Sequence, residues 1–279
     1  MTQTILLGTA GGPAPKAARN APAQCVVVDG QTYVIDCGNG VARQLVLAGV
    51  PLSSVRAAFI THHHSDHNAD LGNLMLLAWM ANLDHVVDLY GPAPQSEIWH
   101  HFLAMSRFDI DTRTGDEGLR PLDELGRPHD VAEPGIVHED DHVRVTCTRV
   151  NHPPIDVALA YRVDTADRSI VFSGDTTPTD ELVQLATGAD VLVHEAMHVP
   201  SARRMAQMYN ATTLLDHLMA SHTSAEDAGR IAQQAGVGTL VLSHLVPSDL
   251  PIDDQTWLDA AASEFDGEIV VGSDLQVID

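Results

Sequence analysis

The chain has 279 residues, a length that supports one large domain or two modest ones. It is strongly acidic, with 38 Asp and Glu against 15 Lys and Arg, a formal net charge of −23 and a single lysine, Lys16. Such a surface repels phosphate backbones and anionic membranes, and no apolar run reaches membrane-spanning length, so we expect neither nucleic acid nor membrane as a partner.

The cysteines and the N-terminus indicate the compartment. Cys25, Cys37 and Cys147 form no Cys-x-x-Cys pair and no disulfide framework. The N-terminus lacks the basic start and the long apolar core of a signal peptide. We therefore predict a cytoplasmic protein with reduced thiols.

Strands and helices alternate along the chain. Strands are predicted over 4–7, 24–28, 31–35, 55–60, 143–150, 157–163, 169–172, 191–193, 239–242 and 268–271. Helices are predicted over 41–48, 70–82, 179–186, 199–221, 225–235 and 253–265, with Ser224 as an N-cap and Gly236 as a terminator. Residues 107–138 are polar and turn-rich, and we interpret them as a loop or insertion. No repeat or linker interrupts the pattern, so we predict one α/β domain over residues 1–279.

The helix predicted over 70–82 is apolar on nearly all sides, which is typical of buried core. Its position after a His-rich segment also allows it to form one wall of an apolar substrate mouth. We favour the core.

The His-rich segment spans residues 61–67 and follows the strand 55–60. Its sequence, Thr-His-His-His-Ser-Asp-His, contains the pattern His-x-His-x-Asp-His. Side chains alternate along an extended chain, so His62 and His64 leave the same side and can bind one ion. Asp66 and His67 are placed for a second ion beside the first. Imidazole and carboxylate are ligands of zinc, and imidazole also suits iron.

Other strands also end at residues that can bind metal. The strands 143–150, 169–172 and 239–242 lead to His152, Asp175 and His244, and the strand 191–193 leads to His194-Glu195. Strand ends along one edge of a sheet are rigid places at which ligands distant in sequence converge. The pattern therefore predicts a shared metal site.

With these motifs in order, the whole chain resembles the metallo-β-lactamase superfamily, which implies a four-layer αβ/βα sandwich. The resemblance implies that His62, His64 and His152 bind one ion, that Asp66, His67 and His244 bind the other, and that Asp175 bridges them. His64 stands where the diiron oxygen-reducing branch commonly has glutamate. The segments Ser-Gly-Asp-Thr, His-Glu-Ala (194–196) and His-Thr-Ser-Ala (222–225) resemble the ribonuclease Z branch, which also contains arylsulfatases.

The same resemblance implies three catalytic residues. Asp66 would orient a metal-activated hydroxide, and His222, held by Glu195, would act as the general acid. Two features differ from the ribonucleases: Leu245-Val246-Pro247 replaces a Ser-Pro-Arg-like segment, and the Gly- and Lys-rich arm that clamps tRNA has no visible counterpart.

The leading prediction is a dinuclear zinc hydrolase of small, partly apolar esters, whether phosphodiester, sulfate ester, carboxylic ester or lactone. Mn²⁺ and Fe²⁺ are the alternative ions, and a homodimer is left open. The alternative function is a tRNA 3′-processing endonuclease. A third hypothesis, a mononuclear iron oxygenase on the same fold, is disfavoured because Asp66 and His244 are both present.

Overall fold

The fold is described from a computed structural model, which covers residues 1–208 and 211–279. Its strands are β1 (Thr2–Gly8), β2 (Ala23–Val28), β3 (Gln31–Ile35), β4 (Val55–Phe59), β5 (Val87–Pro92), β6 (Gly126–Val131), β7 (Gly135–Glu139), β8 (Arg144–His152), β9 (Ile155–Asp164), β10 (Ser169–Phe172), β11 (Val191–Met197), β12 (Thr239–Val246), β13 (Glu268–Val271) and β14 (Gln276–Ile278). Its helices are α1 (Val41–Leu47), α2 (Ser65–Asn68), α3 (Leu71–Met80), α4 (Gln95–Met105), α5 (Arg107–Glu117), α6 (Asp180–Ala186), α7 (Val199–Met208), α8 (Leu214–Ser221), α9 (Ala225–Ala235) and α10 (Asp254–Ala262).

Two sheets of seven strands form the centre of the molecule. Their orders are β14-β1-β2-β3-β4-β5-β6 and β13-β12-β11-β10-β9-β8-β7. Apolar side chains of both inner faces, among them Phe59, Tyr161 and Phe172, pack between the sheets. The outer face of the first sheet packs on α1 and α3, and that of the second on α6, α9 and α10. The predicted four-layer αβ/βα sandwich is therefore confirmed.

Local sequence signals explain many of the element ends. Asp29 and Gly30 both have positive φ, 49° and 79°, as the two-residue hairpin between β2 and β3 requires. Ser224 accepts a hydrogen bond from the Asp227 N–H at the start of α9, and Gly236 ends that helix in the left-handed conformation. The predicted roles of Ser224 and Gly236 are confirmed.

The interpretation of residues 107–138 as a loop is wrong. The segment contains α5, β6 and most of β7. The helix α5 has few apolar residues, but ion pairs four residues apart stabilise it: Arg107 with Asp111, and Arg113 with both Asp109 and Glu117. The strand β6 adds to the edge of the first sheet by parallel pairing with β5.

Two other expectations need adjustment, and a third, that residues 70–82 belong to the core, agrees with the structure. The helix predicted over 199–221 is two helices, α7 and α8, and residues 209–210 of that prediction lie outside the described residues. The strand predicted over 191–193 continues to Met197, because β12 pairs with it in parallel. Residues 70–82 belong to the core under the first sheet, with Trp79 donating from Nε1 to the Arg120 carbonyl. Within the described ranges, no helix has the length and apolar character needed to cross a bilayer.

Candidate metal centre

The end of β4 supplies the first group of donors. His62 Nε2 lies 2.9 Å from His64 Nδ1. His152 is at the end of β8, and its Nε2 lies 3.2 Å from the same Nδ1 of His64. His63 points away from this group and binds the Pro92 carbonyl through Nε2 at 2.6 Å. The alternation expected from the sequence thus separates His63 from its two neighbours.

A second group lies beside the first. Asp66 and His67 belong to the short helix α2, and the Asp66 carboxylate lies 3.7 Å from His67 Nε2 and 3.6 Å from His244 Nε2. Two of the groups whose possible donor atoms lie within 4.8 Å of one another are His62, His64 and His152, and Asp66, His67 and His244; two further groups overlap them, Asp175, Glu195, His222 and His244, and His62, His67 and Asp175.

Asp175 lies between the two groups. Its Oδ2 is 3.2 Å from His244 Nε2, 3.4 Å from His67 Nε2 and 3.9 Å from His152 Nε2. The residue follows β10 in the turn that begins at Ser173 and contains Gly174. A side chain on Gly174 would meet the Leu159 carbonyl at 2.8 Å, and its φ is 59°, so glycine allows the close approach of this turn. Asp175 can therefore reach both groups of donors.

A β-bulge directs His244 into the site. In the pairing of β11 with β12, Glu195 lies opposite Ser243 and Ala196 lies opposite Leu245, which leaves His244 as the extra residue. Its φ is 42°, in the left-handed region. Bulges change the direction of a side chain at the end of a ladder, and this one turns the imidazole out of the regular alternation.

The donor atoms fit a divalent cation. His67 Nε2, Asp175 Oδ1 and both ring nitrogens of His244 are buried and have no hydrogen-bond partner within the described residues. Buried polar atoms are almost always paired, so unpaired imidazole and carboxylate atoms on neighbouring residues indicate a site for an ion. Burial also lowers the pKa of His62, of His64 and of His152, the last to about 4, which favours the neutral form that binds metal.

Neighbouring groups fix the orientation of two imidazoles. His67 Nδ1 lies 2.7 Å from Asp36 Oδ2, and His152 Nδ1 lies 2.8 Å from the Ser221 carbonyl. Asp36 is buried, and its other oxygen accepts from the Thr61 N–H. The sequence analysis did not single out Asp36. Its signal was a carboxylate at the end of β3, the strand next to β4, immediately before a turn.

Glu195 and His222 form a pair at the edge of the donor groups. His222 Nδ1 lies 2.8 Å from Glu195 Oε2, and Glu195 Oε1 accepts from the Thr176 N–H at 2.6 Å. Burial acts to lower the pKa of His222, but the Glu195 carboxylate outweighs it and raises that pKa to about 9. With Nδ1 bound to Glu195, the Nε2 atom of His222 is the one that can transfer a proton.

A cavity of about 400 Å³ opens over these residues. His64, Asp66, His152, Asp175, His222 and His244 form its floor, and its walls include Met205, Leu214, Leu218, Val246 and Pro247. The segment 199–221 contributes Met205, Leu214 and Leu218 to the cavity wall. Residues 70–82 and 107–138 do not line it.

Comparison with known proteins shows the family. The family model described as Anti-Pycsar protein Apyc1 matches residues 2–221, so the chain falls within the family that this model describes. Ribonuclease Z of Mycolicibacterium gilvum is 33% identical over 99% of this chain and 95% of its own length, and ribonuclease Z of Mycobacterium sp. (strain KMS) is 34% identical over 100% and 96%. The chain belongs to the ribonuclease Z family.

Solved structures of this family agree with the fold. Human tRNase Z, short form, superimposes with a TM-score of 0.72 at 20% identity and covers 100% of this chain and 99% of its own. The metallo-β-lactamase-fold protein YhfI from Bacillus subtilis gives 0.73 at 21% identity, with 99% and 98% covered. Membership in the family makes the chain a metal-dependent hydrolase.

Two expectations are overturned by these relatives. Small, partly apolar esters were the expected substrates, and nucleic acid was an improbable partner. Full-length relatives named Ribonuclease Z at 32–34% identity contradict both statements. The physical reason is that net charge sums the whole surface, whereas a substrate contacts only the groups around the site.

Proposed function

We propose that this protein is a ribonuclease Z, an endonuclease that hydrolyses a phosphodiester bond at the 3′ side of precursor tRNA. The observation that carries the proposal is full-length identity of 32–34% to proteins named Ribonuclease Z. The convergence of candidate metal donors and of His222 at the floor of one cavity, with Glu195 bound to His222, supports it.

We propose two zinc ions as the metals, with Mn²⁺ and Fe²⁺ as alternatives. His62, His64 and His152 would bind one ion, Asp66, His67 and His244 the other, and Asp175 both. Two divalent ions at such a site lower the pKa of a shared water and polarise the phosphate oxygens. The presence of both sets of donors disfavours the single iron of an oxygenase.

The remaining steps belong to side chains of the chain itself. Asp66, whose carboxylate lies 3.6 Å from His244 Nε2, would orient the attacking water. The leaving alkoxide needs a proton, and His222 donates it from Nε2. Glu195 binds Nδ1 of the same ring, which fixes the tautomer and stabilises the protonated imidazole before transfer.

Cleavage of a precursor tRNA with a 3′ extension, followed on a gel at about 0.15 M salt, tests the proposal. We expect one cut at the 3′ end of the acceptor stem that requires zinc or manganese and is lost in Asp175→Ala. The control is Asp259→Asn, which changes an exposed carboxylate on α10 that does not line the cavity. Cleavage by the wild type no faster than by Asp175→Ala would refute the proposal.

A further inference from the structure

One imidazole in the cavity, that of His217, belongs neither to the two groups of donors nor to the Glu195–His222 pair. His217 lies on α8 and lines the cavity beside the floor. Its ring centroid is 6.4 Å from that of His152 and 6.2 Å from that of His222, and it is edge-on to both. The His217 ring therefore lies beside the rings of His152 and His222. At this position it can contact the part of the substrate next to the reacting phosphate.

Ser221 determines which nitrogen of His217 carries the proton. The Ser221 hydroxyl donates to the Pro153 carbonyl, so it can only accept from His217 Nδ1, which lies 3.3 Å away. Nδ1 thus carries the hydrogen. Nε2, on the other edge of the ring, holds a lone pair and makes no hydrogen bond to any residue that the structure describes.

A lone pair selects the chemistry of its ligand. Phosphate oxygens only accept hydrogen bonds and give this nitrogen nothing to bind. Within an RNA chain the 3′ and 5′ oxygens are esterified, so the 2′-hydroxyl is the donor that the sugar offers. We propose that His217 Nε2 accepts a hydrogen bond from the ribose 2′-hydroxyl of a nucleotide flanking the scissile phosphate. This inference rests on the proposed function, and it makes His217 a residue that selects RNA over DNA.

The test measures kcat/KM on three precursor tRNAs: one all-ribose, and two with a single 2′-deoxyribose on either side of the cleaved phosphate. For the wild type, we expect one deoxy substitution to slow cleavage about 3- to 10-fold, the loss of one neutral hydrogen bond. His217→Ala should cleave the all-ribose RNA with the same deficit and show no further loss on that deoxy substrate. His217→Gln, which keeps an acceptor, should recover part of the sensitivity.

Controls separate this role from a structural one. Asp216→Ala changes an exposed residue of the same helix and should keep the wild-type pattern. Zinc content of His217→Ala should equal that of the wild type, because Ser221 binds His152 through its carbonyl. Equal deoxy sensitivity in the wild type and His217→Ala would overturn the role of His217 alone. No cleavage of the all-ribose RNA by the wild type would overturn the proposed function, and this inference with it.

Discussion

Asp36 offers a direct test of how the site holds its metal. The carboxylate is buried and accepts three hydrogen bonds: from the Thr61 N–H at 2.8 Å, from the Thr61 hydroxyl at 3.0 Å and from His67 Nδ1 at 2.7 Å. Asp36→Asn keeps the shape and one acceptor but places an amide N–H against the N–H of His67. The imidazole then loses the bond that orients Nε2 towards Asp66 and Asp175.

The expected magnitude follows from that single contact. A hydrogen bond to a charged group contributes about 1.5–3 kcal/mol, which corresponds to roughly 10- to 100-fold in affinity for an ion that depends on His67. We expect Asp36→Asn to bind zinc at the His67 position about 10- to 100-fold more weakly and to regain cleavage at higher zinc concentration. Competition with a chromophoric chelator measures the affinity.

The matched control is Asp274→Asn. Asp274 also accepts three hydrogen bonds, from the N–H and hydroxyl of Thr9 and from the Asn20 N–H, but it does not contact a donor of the metal centre. This variant should lose stability and keep its zinc affinity. If Asp36→Asn folds and its zinc affinity is within twofold of that of the wild type, Asp36 does not orient His67 for metal binding.

Three more outcomes are expected. His222→Ala should leave zinc content intact and slow RNA cleavage by about 10²–10⁴-fold, with a much smaller loss on bis-p-nitrophenyl phosphate, whose leaving group departs without a proton. Glu195→Gln should show the same pattern more weakly. Equal losses of His222→Ala on both substrates would argue against a general acid. Asp175→Ala should lower zinc content by elemental analysis as well as rate, and one iron per chain in the wild type would contradict the dinuclear assignment. Burial acts to raise the pKa of Asp140, but hydrogen bonds, led by that from Tyr33, lower it to about 2, so its contribution to stability is present above its ordinary pKa of 3.8 and is lost as pH falls through about 2. Asp140→Asn should therefore lower the free energy of unfolding by about 1 kcal/mol at pH 7, a value reduced for partial exposure. In urea unfolding this deficit should shrink towards pH 2, and the control Asp141→Asn should not change the free energy of unfolding.

The candidate metal donors could be located in the sequence because each follows a local signal. His62 and His64 follow a strand at a spacing of two, and Asp175 follows a strand and a glycine turn. The sequence could not show how His244 reaches them, because the bulge that turns it depends on the register between β11 and β12. The orientation of His67 by Asp36 was also hidden, since the two residues meet only when β3 and β4 pair.

Helices and strands could be predicted where the apolar periodicity was strong. The prediction failed where charged residues took the place of apolar ones. The helix α3 is apolar on nearly every side and is buried core. The helix α5 presents mainly polar residues, and its stability depends on ion pairs such as that of Arg113 with Asp109. A prediction based on apolar periodicity interprets such a polar segment as a loop. The strand β6 contains Pro128 and several polar residues, and only its pairing with β5 makes it a strand.

Net charge was the poorest guide to the substrate, and the distribution of the basic groups explains why. Several arginines form surface ion pairs with an acidic residue four or five positions away, among them Arg107, Arg120 and Arg144. Such pairs add nothing to the field at the cavity. Lys16 lines the cavity with a side chain only 9% exposed, but it pairs there with Asp249 at 3.7 Å, so two divalent ions would supply most of the positive charge at the point where a scissile phosphate would bind. At distances beyond about 8 Å in physiological salt the acidic surface is largely screened, so the few charges within the cavity decide whether a phosphodiester can bind there.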